Sequence, residues 1–278
     1  MSWLDNPAVQ GGVAPLVVGV VLALALGAIE RDGRTALVWL AVVAAYAATT
    51  WLATGFTFSP LTASRKVVII AIAAPLVALA LDLARIRSAR MSMILVIVCA
   101  VAAVWAFWSI VSQRDGAAAV GLAAGIALFV AVSVLVMLRM GDDGMRAAAA
   151  GVGLGMATGI SAVLSASIGF LLSGMAIAAA CGALLIVQVL ARRRMSAGPV
   201  AALAVALPCA LFAVGAMLLA QMPWYVAVLL LLPPAAIATI SANGLRPMAR
   251  ASLMVAVAIV LALIPLAAAW LAARASST

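Results

Sequence analysis

Long uncharged apolar runs, separated by short charged or turn-forming segments, dominate the 278-residue chain. About 20 apolar residues in a helix cross a bilayer, and a charge at its centre costs about 2.5 to 3.5 kcal/mol. We therefore expect an all-α fold, a polytopic integral membrane helical bundle with about ten helices and short loops. One transmembrane domain covers residues 1–278. Its predicted spans are 11–29, 35–54, 67–84, 91–111, 117–138, 147–164, 170–190, 200–220, 224–240 and 251–271.

The uncharged stretch from Ala147 to Leu190 is too long for one span. As a single helix its 44 residues would extend about 66 Å, about twice the hydrocarbon thickness. Serine and glycine favour turns, so the sequence SASIG at residues 165–169 predicts the point where the chain reverses. This reversal brings the count to ten. Ten spans would divide into five plus five, although residues 11–138 and 147–272 show no convincing similarity.

Composition supports a membrane protein and argues against nucleic acid as a partner. Apolar residues make up 69% of the chain and charged residues 8%, whereas soluble domains carry about 25% charged residues. The net charge of +9 comes from cations scattered over short loops, so there is no basic face to follow a phosphate backbone. The lipid bilayer is therefore the expected environment. The three cysteines lie in apolar runs and indicate no disulfide framework.

Loop cations alternate along the chain and predict its orientation. Twelve of the sixteen follow an odd-numbered span: Arg31, Arg34, Arg85, Arg87, Arg90, Arg139, Arg146, Arg192, Arg193, Arg194, Arg246 and Arg250. The other four are Arg65, Lys66, Arg114 and Arg274. Because cytoplasmic loops carry an excess of Lys and Arg, we expect both termini to be extracytoplasmic. A bacterial cytoplasmic (inner) membrane is the expected location.

The segment GFTFSPLTASRKVVII, residues 55–70, places two cations on the face that otherwise avoids them. Ser59 followed by Pro60 predicts the start of the third helix. Arg65 and Lys66 would then lie one to two turns into this helix. A helix N-terminus with two nearby cations favours an anion, such as a lipid phosphate or a substrate carboxylate. The alternative is an interfacial anchor, in which both cations extend to outer headgroups.

Asp82 is the one acidic residue inside a predicted span. Ionisable residues within a membrane are candidates for proton or cation coupling. However, Arg85 follows three residues later on the same helix face, near the cytoplasmic end. A simple interfacial ion pair would therefore also explain Asp82.

The sixth span carries glycines at positions 151, 155 and 159, so one of its faces lacks side chains. Such small-residue faces let membrane helices approach closely. Thr158 and Ser161 lie nearby, and hydroxyls in a helix usually bond to its own backbone. Close packing and a polar permeation path are the two interpretations of this span.

Adjacent prolines at 233 and 234 give the strongest interruption within a predicted span. Each proline removes a helical hydrogen bond. Interrupted helices form the binding sites of many transporters, but proline is also tolerated in membrane helices for packing alone.

No enzyme is indicated, because the chain has no histidine, no pair of intramembrane acids and no acid-rich metal cluster. We predict no catalytic residue, metal or cofactor. The leading hypothesis is a transporter or flippase of a small or amphipathic solute, with anions among the candidates. The alternative, favoured by the scarcity of buried polar groups, is a non-catalytic subunit that anchors or completes a larger membrane protein complex. The candidate substrate-binding residues are Arg65, Lys66, Asp82, Thr158, Ser161, Pro233 and Pro234.

Overall fold

The structure, a computed structural model, describes residues 6–29, 35–55, 59–84, 88–141, 143–165, 167–191, 195–240 and 244–275. Within these ranges it is a helical bundle without strands, which confirms the predicted fold class. Nine of its helices are long and apolar enough to cross a membrane: α1 (Val9–Ile29), α2 (Ala36–Thr54), α3 (Ala63–Leu83), α4 (Ala89–Ala106), α6 (Gly116–Leu138), α7 (Gly144–Leu164), α8 (Ile168–Ala191), α9 (Gly198–Leu219) and α12 (Pro247–Ala275). The shorter helices are α5 (Trp108–Val111), α10 (Trp224–Leu229) and α11 (Leu232–Thr239).

The long uncharged stretch reverses where predicted, because α7 ends at Leu164 and α8 begins at Ile168. The glycine face of α7 then packs directly on α8. A Cβ atom on Gly155 would lie 2.7 Å from the carbonyl oxygen of Gly174. One on Gly159 would lie 2.9 Å from the carbonyl oxygen of Leu171. Only glycine permits this approach, so the packing interpretation of these glycines is confirmed.

Two loops that follow odd-numbered spans are joined through their backbones. The Gly144 amide donates to the Met195 carbonyl at 2.9 Å, and the Gly198 amide donates to the Gly141 carbonyl at 3.1 Å. The loop between α6 and α7 therefore lies against the loop between α8 and α9.

The loops before α2 and α12 reach the same end of the bundle. The Trp39 indole donates to the Ser196 carbonyl at 2.9 Å. Asp143 accepts from the Arg146 amide at 3.2 Å, caps α7 and pairs with Arg250 of α12. We call this end the arginine-rich face. The cations predicted for it at 31, 34, 85, 87 and 192–194 lie outside the described residues.

The opposite end, which we call the arginine-poor face, collects the loops that follow even-numbered spans. The Thr49 hydroxyl donates to the Gln10 carbonyl at 2.9 Å, linking the end of α2 to the start of α1. The Lys66 ammonium lies 3.4 Å from the Trp105 carbonyl, linking the start of α3 to the end of α4. Loops thus separate onto two faces, as an alternating passage through the bundle requires.

The predicted span at 224–240 is a broken helix pair, α10 and α11. It begins near Ala220 on the arginine-poor face and leads toward Arg250 on the arginine-rich face. Residues 224–239 would extend about 24 Å as a helix, which makes this crossing shorter than the others. Pro233 and Pro234 lie in the first turn of α11, where a backbone N–H has no helical partner in any case. The predicted break is therefore present.

Two predicted helix boundaries need correction. Thr62, not Ser59, caps α3 by accepting from the Arg65 amide at 3.5 Å. Pro60 belongs to the turn before the helix, where its carbonyl accepts from the Thr62 amide at 3.0 Å. Arg65 consequently lies in the first turn of α3. The span predicted at 91–111 is interrupted at Phe107, a fully buried residue that leaves helical geometry between α4 and α5.

Candidate functional site

A cavity of about 530 Å³ opens on the arginine-poor face between α2, α3, α8 and α9. It forms because the loop between α2 and α3, the start of α8 and the end of α9 meet there. Hydroxyl groups and one guanidinium supply its polar lining, and we call it the hydroxyl cavity. Its polar side chains are those of Tyr46, Thr49, Thr50, Thr54, Thr62, Ser64, Arg65, Ser167 and Ser173.

Helix α2 contributes a row of hydroxyls to the cavity. Tyr46, Thr50 and Thr54 are spaced four residues apart and so share one helix face. The Thr50 hydroxyl donates to the Tyr46 carbonyl and the Thr54 hydroxyl to the Thr50 carbonyl, both at 3.0 Å. A hydroxyl whose proton is used in this way can only accept from a ligand.

Other hydroxyls around the cavity are in the same state. The Ser173 hydroxyl donates to the Gly169 carbonyl at 2.9 Å, and the Thr49 hydroxyl donates to the Gln10 carbonyl at 2.9 Å. These oxygens also keep only acceptor capacity. A solute that fits this wall therefore carries hydrogen-bond donors of its own.

Arg65 supplies the positive charge of the cavity. Its Nη1 atom donates to the Pro60 carbonyl at 2.6 Å. Within the described part of the chain no carboxylate forms an ion pair with Arg65, and a guanidinium has five N–H donors. Arg65 also lies in the first turn of α3, close to the positive end of the helix dipole. This side of the cavity favours an anionic group.

The inner end of the cavity is aromatic. Tyr46 is only 2% exposed, and its ring centroid lies 5.6 Å from that of Phe212. Phe170 stacks on Phe212 with centroids 5.8 Å apart. The buried Tyr46 hydroxyl lies beside the Thr50 side chain.

Lys66 does not join Arg65 in this cavity. Its ammonium lies 4.7 Å from the centre of the Trp105 ring and 3.4 Å from the Trp105 carbonyl, on the far side of α3. The sequence predicted one anion site for both cations, and in the structure only Arg65 of the two lines this cavity. Adjacent residues on a helix point in different directions, so one residue of spacing separates the two side chains.

A second cavity of about 250 Å³ opens on the arginine-rich face. Asp82, near the end of α3, lies in its wall and is 8% exposed. Ser88, just before α4, adds a polar side chain to the lining. Pro199, at the start of α9, lines the cavity as well. We call it the Asp82 cavity. The predicted pairing with Arg85 lies outside the described residues.

Helices α3 and α9 line both cavities, at their opposite ends. Each helix has a buried proline between the two cavities, Pro75 in α3 and Pro208 in α9. At 1.5 Å per residue, Pro75 lies about 18 Å from the Ala63 end of α3. Pro208 lies about 17 Å from the Leu219 end of α9. The two helices therefore each lack a hydrogen bond at a similar depth.

The remaining predicted site residues lie elsewhere. Thr158 and Ser161 are buried in α7, and Thr158 lies beside Cys209 of α9. Neither hydroxyl bonds to the backbone of its own helix, as hydroxyls in helices usually do. Pro233 and Pro234 are buried at the start of α11. None of these four residues lines either cavity.

Sequence reasoning missed the α2 side of the hydroxyl cavity. Charges, prolines and glycines stand out in this apolar sequence, whereas Tyr46, Thr50 and Thr54 are uncharged. Their spacing of four residues was the available signal, because it places three hydroxyls on one face of an otherwise apolar helix.

Comparison with known proteins finds no matching family model and no similar curated protein. In the described ranges no group of three His, Cys, Asp or Glu side chains could hold a metal ion.

Proposed function

We propose that the chain is a transporter or flippase of an amphipathic anion in a bacterial inner membrane. The observation that carries this proposal is the pair of cavities at opposite ends of α3 and α9. A protein that only anchors partners has no need of polar cavities on both faces along the same helices. By the distribution of loop cations, the hydroxyl cavity faces outward and the Asp82 cavity faces the cytoplasm.

The chemistry of the hydroxyl cavity indicates the kind of solute. Arg65 receives a phosphate or carboxylate, and the hydroxyls of Thr50 and Thr54 accept from solute hydroxyl or amine groups. Phe170 and Phe212 provide an apolar surface for the remainder of the molecule. A volume of about 530 Å³ lies within the range of about 300–1,000 Å³ typical of small-molecule sites.

Movement would follow the alternating-access scheme of secondary transporters. Pro75 and Pro208 interrupt the hydrogen bonding of α3 and α9 at a similar depth, so both helices can bend there. Bending in one direction would close the hydroxyl cavity and widen the Asp82 cavity.

Replacing Arg65 by Gln tests the anion site. Losing charge-assisted hydrogen bonds costs about 1.5–3 kcal/mol, so we expect about 10- to 100-fold weaker binding of the transported anion. The measurement uses purified protein in proteoliposomes with a panel of radiolabelled carboxylates and phosphates. Lipid translocation is measured with a fluorescent phospholipid analogue, whose fluorescence in the outer leaflet is removed by a chemical quencher.

The matched control is Arg114→Gln, which removes an exposed cation that lines neither cavity. Its transport should equal that of the wild type. If purified wild-type protein neither binds nor moves any member of the panel, and instead co-purifies in mild detergent with fixed membrane partners, the subunit hypothesis replaces this proposal. Equal losses in both variants would also contradict it, since they would indicate a general charge effect.

A further inference from the structure

A third cavity, distinct from the two that carry the proposed function, runs along the outer surface of α4, α5 and α6. Its volume is about 720 Å³, and its lining is formed by hydrocarbon and indole side chains. We call it the α4–α6 groove. It is lined by Val96, Ile97, Ala100, Val101, Val104, Trp105, Trp108, Ala127, Leu128 and Ala131.

The dimensions of the groove suit an acyl chain. From Val96 to Trp108 it follows the helix axis for about 18 Å, which is close to the depth of one leaflet, about half of a 30 Å hydrocarbon core. Ala100, Ala127 and Ala131 provide the small side chains that make the surface concave. A concave apolar strip of this length binds a straight hydrocarbon chain better than a flat helix surface does.

Two tryptophans mark the end of the groove on the arginine-poor face. Trp105 and Trp108 both line the groove, and both are about half exposed. Tryptophan side chains concentrate at the level of lipid headgroups. The end of the groove on the arginine-poor face therefore lies at the membrane interface, where a bound lipid would place its phosphate.

Lys66 lies beside Trp105, one of the residues that line this end of the groove. It donates to the Trp105 carbonyl at 3.4 Å, near the C-terminus of α4, and its ammonium covers the Trp105 ring at 4.7 Å. An ammonium group has three donors, so two remain. In the described chain no carboxylate forms an ion pair with Lys66.

We propose that the α4–α6 groove binds an anionic phospholipid, with an acyl chain along α4 and α6 and its phosphate at Lys66. The adjacent cations thus have separate ligands, since Arg65 lines the hydroxyl cavity and Lys66 lies at the groove. This site does not depend on transport, because no residue of the groove lines the other two cavities.

Native mass spectrometry of the purified protein tests the site. Phosphatidylglycerol, phosphatidylcholine and inorganic phosphate are added in separate experiments, and the retained adduct is measured. The wild type should retain phosphatidylglycerol in preference to phosphatidylcholine and should not retain inorganic phosphate. Lys66→Gln should reduce the retained phosphatidylglycerol about fivefold, the effect of one cation near an anionic lipid.

Two further variants locate the binding. Val101 is 64% exposed and lines the groove, so Val101→Trp fills the groove without disturbing the core and should lower retention while Lys66 is intact. Arg114→Gln removes an exposed cation that lines none of the three cavities and should leave retention unchanged. The proposal is overturned if Lys66→Gln retains phosphatidylglycerol like the wild type, if both lipids are retained equally, or if Arg114→Gln reduces retention as much as Lys66→Gln does. A partner helix or a second copy in the groove would appear as a protein adduct in place of lipid.

Discussion

Arg65 and Lys66 are adjacent in α3, yet their side chains lie in different parts of the bundle. The Arg65 guanidinium lines the hydroxyl cavity, and the Lys66 ammonium lies on Trp105 of α4. Consecutive side chains in a helix do not face each other. A pair of cations that looks like one binding site in the sequence therefore belongs to two sites in the bundle.

Residue-level packing is tested most sharply at Gly155. A Cβ atom there would lie 2.7 Å from the Gly174 carbonyl oxygen, a backbone atom that cannot move aside cheaply. We expect Gly155→Ala to destabilise the protein by about 1–3 kcal/mol through overpacking. The midpoint of unfolding in detergent measures this change.

Gly125 of α6 provides the matched control, since a Cβ atom there would meet no atom within 4 Å. Gly125→Ala should not destabilise the protein, because alanine is favoured over glycine in a helix interior by about 0.5–1 kcal/mol. Equal destabilisation by the two substitutions would show that α7 and α8 are not in the close contact described.

The site residues were only partly predictable from sequence. Arg65 and Asp82 were found because a charge inside or beside an apolar run is conspicuous, and each of them does line a cavity. Thr158 and Ser161 were candidates because of polarity alone, and they lie in helix packing instead. The rotation of each helix about its own axis decides which polar groups meet at a cavity. This rotation cannot be read from a single, largely apolar sequence.

At the level of elements, α3 and α9 are the helices on which the proposed mechanism depends. Both are continuous through their prolines and reach from the hydroxyl cavity to the Asp82 cavity. Helix α9 is buried along most of its length, so a bend at Pro208 would shift the helices packed around it.

Substituting the two prolines tests the bending of these helices. Pro75→Ala with Pro208→Ala restores a backbone donor in each helix and should stiffen both. We expect the transport rate to fall several-fold while the solute dissociation constant stays within about twofold, because conformational steps often limit the turnover rate. Proteoliposome uptake and equilibrium binding measure the two quantities.

A loss of binding equal to the loss of rate would contradict this mechanism, since it would place the prolines in the site itself. An unchanged rate would equally show that the helices do not bend there.

The sequence predicts where a helix is present more reliably than it predicts the residues at which that helix begins and ends. The reversal between α7 and α8 was predicted correctly because a run of 44 uncharged residues is too long to be one span. The start of α3 was misplaced because Ser59 and Thr62 are both good caps. The local sequence does not reveal that the Pro60 carbonyl is used in a turn with Thr62.

On the scale of the whole molecule, hydropathy predicts the bundle well because the cost of a charge in the hydrocarbon region dominates. The structure adds the separation of loops onto two faces. Asp143 joins α7 to α12 through Arg250 on one face, and Thr49 joins α2 to α1 on the other. The cavities could not be foreseen, since they depend on how α2, α3, α8 and α9 pack.

The most direct test of the proposed transport path asks whether the hydroxyl cavity and the Asp82 cavity open on opposite sides of the membrane. Ser64 and Ala89 are exposed at the two cavities, respectively. Single cysteines are introduced there after the buried Cys99, Cys181 and Cys209 are replaced by alanine.

A membrane-impermeant maleimide is then applied to spheroplasts before and after permeabilisation. Ser64→Cys should react in intact spheroplasts, and Ala89→Cys should react only once the membrane is opened. Labelling of both positions from the same side would contradict a path along α3 and α9, and the reverse pattern would contradict an outward-facing Arg65.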